Sequence, residues 1–114
     1  VPIGGTSAGL HVLGEYLYSA EHDGITPEEA LANPYHERIT LEKDFLKAEP
    51  LRGLITDSHF SERDRMGRLV TFMARLQKEG ELSEIRGVGV DERTAALVTP
   101  DGRAQVVGEG GVHW

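Results

Sequence analysis

Leu54-Ile55-Thr56-Asp57-Ser58-His59-Phe60 is the stretch from which the fold can be read. Leu54, Ile55 and Thr56 follow the Pro50 to Gly53 loop as a short apolar run. That is the pattern of a buried strand, whose C-terminal end then delivers Asp57, Ser58 and His59. From Arg65 to Leu76, the residues Met66, Leu69, Val70, Met73 and Leu76 recur at helical spacing, and Glu79-Gly80 closes the segment. A helix therefore follows the strand. Further on, Val88-Gly89-Val90, Ala95-Ala96-Leu97-Val98 and Ala104-Gln105-Val106-Val107 read as strands, the last two joined by a Pro100-Asp101-Gly102 turn. Strands and helices in this order predict an α/β fold, and open α/β sheets place their ligand sites at strand C-termini.

Upstream, Val1-Pro2-Ile3 has the character of a strand end running into the glycine turn Gly4-Gly5-Thr6-Ser7-Ala8-Gly9. Leu10, Leu13 and Leu17, with Val12 and Tyr16 beside them, predict an amphipathic helix over residues 8–20, ended by His22-Asp23-Gly24. Thr26-Pro27-Glu28-Glu29 predicts a second helix, with Thr26 as N-cap, Pro27 at the first helical position and Glu29 closing a capping box. It reaches about Asn33-Pro34. Ile39, Leu41, Phe45 and Leu46 predict a strand within residues 38–47. No internal repeat is present.

A chain of 114 residues has the length of one small domain, and 39% hydrophobic with 27% charged residues is the composition of a folded globule. A net charge of −7 argues against non-specific affinity for nucleic acid or an anionic membrane. The absence of cysteine excludes disulfides, thiolate metal sites and cysteine nucleophiles. No run is long enough to span a bilayer and no secretory signal opens the chain, so the expected setting is cytoplasmic, without membrane or nucleic-acid partners. Both ends read as cut, which makes the chain an expected fragment of a larger domain. A parallel sheet without its first strands exposes an edge and an apolar face. The expected partners are then the rest of the domain and a second copy in a homodimer.

Gly5-Thr6-Ser7-Ala8-Gly9 matches G-x-S-x-G, a strand-to-helix elbow that exposes a serine hydroxyl from a strained backbone. The Ala8 amide, at the positive end of the helix, could help hold an oxyanion. The same five residues also suit a plain turn before a helix or a phosphate-binding turn. A serine needs a general base, and histidine is the usual one. Of His11, His22, His36, His59 and His113, only His59 follows a buried strand. Next to it lie Arg63, Arg65 and Arg68 in an otherwise acidic chain. Such a cluster suits a substrate with carboxylates, or simply a solvated helix face paired locally with Glu62 and Asp64. For the acid that orients the histidine, Asp23 and Glu21 are nearest the elbow, while Asp91 and Glu92 end a predicted strand. Asp23 is the preferred candidate.

Gly4 to Gly9, Asp57 to Leu69 and Gly87-Val88-Gly89-Val90-Asp91-Glu92 together resemble cyanophycinase and its serine-peptidase relatives, which include aspartyl dipeptidases. The three motifs span residues 3–98 and correspond to the C-terminal half of such an enzyme. The resemblance implies a flavodoxin-like, class I glutamine-amidotransferase-like three-layer α/β sandwich. It also implies that residues 1–114 form the C-terminal part of one peptidase domain. Ser7 is implied as nucleophile and His59 as base, with no metal or other cofactor. The acid of the dipeptidases falls at His22 here, with Asp23 next. Asp57, Ser58, Arg63, Arg65 and Arg68 occupy the substrate pocket by this resemblance, Ser58 standing where cyanophycinases often carry glutamine. The implied activity is exopeptidase-like cleavage of aspartyl peptides, including β-aspartyl-arginine units. Two other readings fit the elbow: a non-catalytic anion- or peptide-binding domain, and an esterase of the α/β-hydrolase type. The esterase leaves the Asp57 to Arg68 segment unexplained.

Overall fold

The computed structural model describes residues 3–43, 45–46, 49–79 and 84–114. Its centre is the strand read above: β3 (Leu54–Ser58) is buried along its whole length. A strand buried on both sides must be covered by other elements on both faces. β3 lies between β1 (Tyr16–Tyr18) and β4 (Arg86–Val90) and runs parallel to both. β2 (Leu41–Lys43) and β7 (Val112–His113) close the two edges antiparallel, giving the order β2-β1-β3-β4-β7.

Side chains alternate across a strand, so β3 and β4 sort their residues onto two faces. Ile55 joins Tyr16, Tyr18, Phe60, Leu69 and Phe72 on one side. Helices α2 (Pro27–Ala32) and α3 (Met66–Glu79) cover this side, and Tyr18 stacks on Phe72 at 4.7 Å between ring centroids. Emptying the place of a buried aromatic such as Phe72 costs about 3–5 kcal/mol. Leu54, Val88 and Val90 face the other way and meet Leu10 of the short helix α1 (Ala8–His11), Leu51 and Val112. Helices on both faces of a largely parallel sheet make the three-layer, flavodoxin-like α/β arrangement. In β4 the glycines take the crowded side: a methyl group on Gly89 would run into the Phe60 ring. β5 (Thr94–Val98) and β6 (Ala104–Gly108) form a separate antiparallel hairpin, with Leu97, Val98, Val106 and Val107 exposed.

Two elements differ from expectation. The helix over residues 8–20 stops after His11, and Tyr16-Leu17-Tyr18 is a strand. Leu10, Leu13 and Leu17 fit helical spacing, but Tyr16, Leu17 and Tyr18 are all buried in succession. An interior strand accommodates consecutive buried residues, whereas a one-faced helix would expose some of them. Helix-poor Gly14 and two β-favouring tyrosines make the switch easy. The strand within residues 38–47 shrinks to Leu41–Lys43, while Asp44, Lys47 and Ala48 fall outside the described residues. By contrast α2 begins as read: Thr26 accepts the Glu29 amide, and the Glu29 carboxylate accepts the Thr26 amide. The helix from residue 65 and the strands at 88, 95 and 104 also form, and Gly80, expected to close the helix, lies outside the described residues.

Candidate active site

Ser7 stands as N-cap of α1 with φ 51°, a left-handed backbone that non-glycine residues seldom adopt and that costs about 1–3 kcal/mol. An N-cap serine ordinarily uses its oxygen to cap the helix. Here it makes no such bond, so the hydroxyl is free to point elsewhere. Gly5 permits the turn, because any side chain there would meet the Gly9 carbonyl, whereas Gly9 itself borders open space. Of the two elbow glycines, the first is sterically required.

The Ser7 hydroxyl meets His59 Nε2 at 3.1 Å. His59 lies just past β3, also with positive φ (48°), which turns its ring toward the elbow. Its other nitrogen, Nδ1, lies 2.8 Å from Glu92 Oε1. A carboxylate can only accept, so Nδ1 carries the proton and Nε2 is left to accept from the serine. Hydroxyl, imidazole and carboxylate thus form one line through opposite nitrogens of the ring, the arrangement of a serine-hydrolase triad.

The acid in contact with His59 is Glu92, not Asp23. Asp23 lies in a turn after β1, where its carboxylate accepts the Gly24 amide at 2.8 Å and its carbonyl accepts the Tyr18 hydroxyl. Glu21 is held by its own amide on Thr40. Neighbouring parallel strands end at the same edge of the sheet, so a residue following β4 lands beside one following β3. That rule was available from the sequence and favours Glu92 over any acid near the elbow. Asp91, the remaining candidate, turns away into hydrogen bonds with Ser61 and Gly111.

A cleft of about 420 Å³ opens beside Ser7 and His59, lined also by His11, Ser58, Arg63, Arg65, Arg68, Val12, Glu42 and Phe45. The three arginines are not equivalent. Arg68 is buried and grips fully buried Asp57 with two bonds, Nε to Oδ2 at 2.8 Å and Nη2 to Oδ1 at 2.5 Å. Its guanidinium also lies over the Tyr18 ring at 5.1 Å. Arg65 donates to the Ser58 carbonyl at 2.8 Å and stands 3.5 Å from Asp57. Arg63 is exposed, and its guanidinium has no hydrogen bond or ion pair among the described residues. Expected together as a substrate clamp, Asp57 and Arg68 instead satisfy each other, and Arg63 keeps its donors for solvent or ligand.

His11 was the histidine that sequence placement passed over. From α1 it reaches Ser58 Oγ at 3.1 Å and Asp57 at 3.5 Å, both through Nε2. Burial lowers its pKa, with Arg68, Arg65 and His59 acting in the same direction against the attraction of Asp57.

Cyanophycinases align with this chain over nearly all of it. The one from Trichormus variabilis is 32% identical over 110 residues, covering 96% of this chain. The one from Geminocystis herdmanii is 30% identical over 112 residues, or 98% of this chain, and the one from Synechococcus elongatus 31% over 110 residues, or 96%. Over nearly its whole length the chain is similar to part of these cyanophycinases. It spans about a third of the length of these curated relatives, the aligned share being 32%, 35% and 29% of each. No protein-family model matches it. The cyanophycinase alignments extend over the elbow, the His59 loop and the end of β4, all three segments that build the relay. No helix among the described residues is long and apolar enough to cross a membrane.

Proposed function

We propose that Ser7, His59 and Glu92 are the relay of a serine-type hydrolase that cleaves aspartyl peptides as an exopeptidase does. β-Aspartyl-arginine units of cyanophycin are the substrate suggested by the name of the relatives. The observation that carries this reading is the contact of His59 with Ser7 through Nε2 and with Glu92 through Nδ1. Ser7 Oγ attacks the scissile carbonyl while its proton passes to His59 Nε2, and Glu92 supports the imidazolium that forms. The tetrahedral intermediate collapses as His59 returns the proton to the leaving amine. Water then attacks the acyl-serine and gives its proton to His59, which passes it to Ser7 Oγ as the acyl–oxygen bond breaks and frees the acid. The Ala8 amide opens α1 and so has no partner inside that helix, which suits it to the oxyanion. Arg63 is the arginine assigned to a substrate carboxylate, since Arg65 and Arg68 are engaged within the protein.

A fluorophosphonate tests the relay without presuming a substrate. It should phosphonylate Ser7 of the folded protein, and Ser7→Ala should take up no label and lose hydrolysis of β-aspartyl-arginine. Labelling of some other residue, or turnover unchanged in Ser7→Ala, would sink the assignment.

A further inference from the structure

Asp91 follows β4 directly, beside Glu92, and is only 9% exposed. A carboxylate so buried needs donors. It has them from three places in the chain. The Ser61 amide donates to Oδ1 at 2.9 Å, from the loop that carries His59. The Gly111 amide donates to Oδ2 at 2.9 Å, from the turn entering β7. His113 of β7 brings Nε2 to 3.2 Å. Burial alone would raise the pKa of Asp91, but these hydrogen bonds outweigh it and hold the group well below the usual carboxylate range.

The surrounding contacts form one seam. The Phe60 amide donates to the Val90 carbonyl at 3.2 Å, Ser61 pairs with Asp91, and the Glu92 amide donates to Glu62 Oε1 at 2.8 Å. The register of this seam fixes how far His59 lies from Glu92. The Phe60 ring packs on the His113 ring at 5.1 Å, so β7 braces the same seam. Ser61, His113 and Asp91 are not a second relay, because His113 meets both the serine and the acid through Nε2.

We propose that Asp91 is a positioning residue: its carboxylate locks the His59 loop to the end of β4 and thereby holds Glu92 against His59 Nδ1. This inference rests on the reading of Ser7, His59 and Glu92 as a hydrolytic relay. Asp91 hydrogen-bonds none of Ser7, His59 and Glu92, so it acts on the reaction only through the placement of Glu92 against His59.

The rate of fluorophosphonate labelling of Ser7, measured in single and double variants, separates positioning from plain stabilisation. Asp91→Asn should slow labelling at neutral pH about 10- to 100-fold, the scale of effect of a small misplacement of reacting groups. In a Glu92→Gln background, Asp91→Asn should slow labelling by less than about 2-fold more, as expected when one residue acts through the other. Losses that multiply in the double variant, or a wild-type rate in Asp91→Asn, would overturn the proposal while leaving the hydrolase reading in place. If Asp91→Asn does not fold, His113→Gln removes one brace of the same anchor. It should show a smaller slowing, and wild-type behaviour there would also count against positioning. Absence of any adduct on wild-type Ser7 would bring down the hydrolase reading, and this inference with it.

Discussion

Ser7, His59 and Glu92 on the open side of the cleft, and Ser58, His11 and Asp57 beneath it, are the same three kinds of residue wired in two ways. In the first set the imidazole uses both nitrogens, one for the hydroxyl and one for the carboxylate. In the second, His11 directs Nε2 toward both Ser58 and Asp57, and its buried Nδ1 has no partner among the described residues. Asp57 is already gripped by Arg68, and Ser58 is closed inside β3. No proton can pass along that set from serine to acid. Residue composition therefore does not define a relay; access and the use of opposite ring nitrogens do.

The sharpest way to break this contrast is to exchange the serines. Ser7→Ala should lower turnover by at least about 10³-fold, the usual scale for loss of a catalytic nucleophile, while Ser58→Ala retains labelling at Ser7. Equal losses in both would mean that the two sets are not distinct. Next in size, Arg68→Ala should destabilise the fold by about 3–5 kcal/mol in denaturant titration, because it strands the Asp57 charge in the interior. Glu92→Gln should leave the denaturation midpoint near wild type and slow labelling about 100-fold, or about 2.7 kcal/mol of barrier. Were Glu92→Gln the variant that unfolds, the roles assigned to the two carboxylates would be reversed.

The smallest expected effect concerns His11. Its folded-state pKa is lowered from 6.5, so the unfolded chain takes up a proton at higher pH than the folded one. The stability contributed by its neutral form is present above that value and is lost as pH falls through it toward the folded pKa. Asp57, Arg65, Arg68 and His59 all act on the ring, and replacing His11 by Gln should flatten the decline of Tm in this window. A slope identical to wild type would remove His11 from the account.

Much of this was legible in the sequence, for reasons specific to each element. The strand at residues 54–58 and the helix after residue 65 could be read because each has one dominant period and a clear stop. The capping box of Thr26 and Glu29 is a local device and survived intact. Ser7 and His59 could be paired because each follows a glycine turn or strand end where α/β folds gather their chemistry. Tyr16–Tyr18 was misread because its neighbours repeat at helical spacing, while its burial on both sides depends on β2 and β3, which local sequence does not reveal. The carboxylate that meets His59 was missed for a related reason. Proximity along the chain favoured Asp23, whereas the sheet brings Glu92 to His59 across a separation of 33 residues. The arginines illustrate a third limit: their types suggested a clamp, but only packing distinguishes buried Arg68 from exposed Arg63.

Gly89 bears on how freely such a chain can vary. It holds no charge and lies outside the proposed relay, yet the Phe60 ring occupies the space a side chain would need. Phe60 is the residue after His59, so even alanine at position 89 would push on His59 from behind. In a survey of every possible substitution, this silent position should prove nearly as intolerant as Ser7. A neutral drift of the sequence would find it closed for steric rather than chemical reasons.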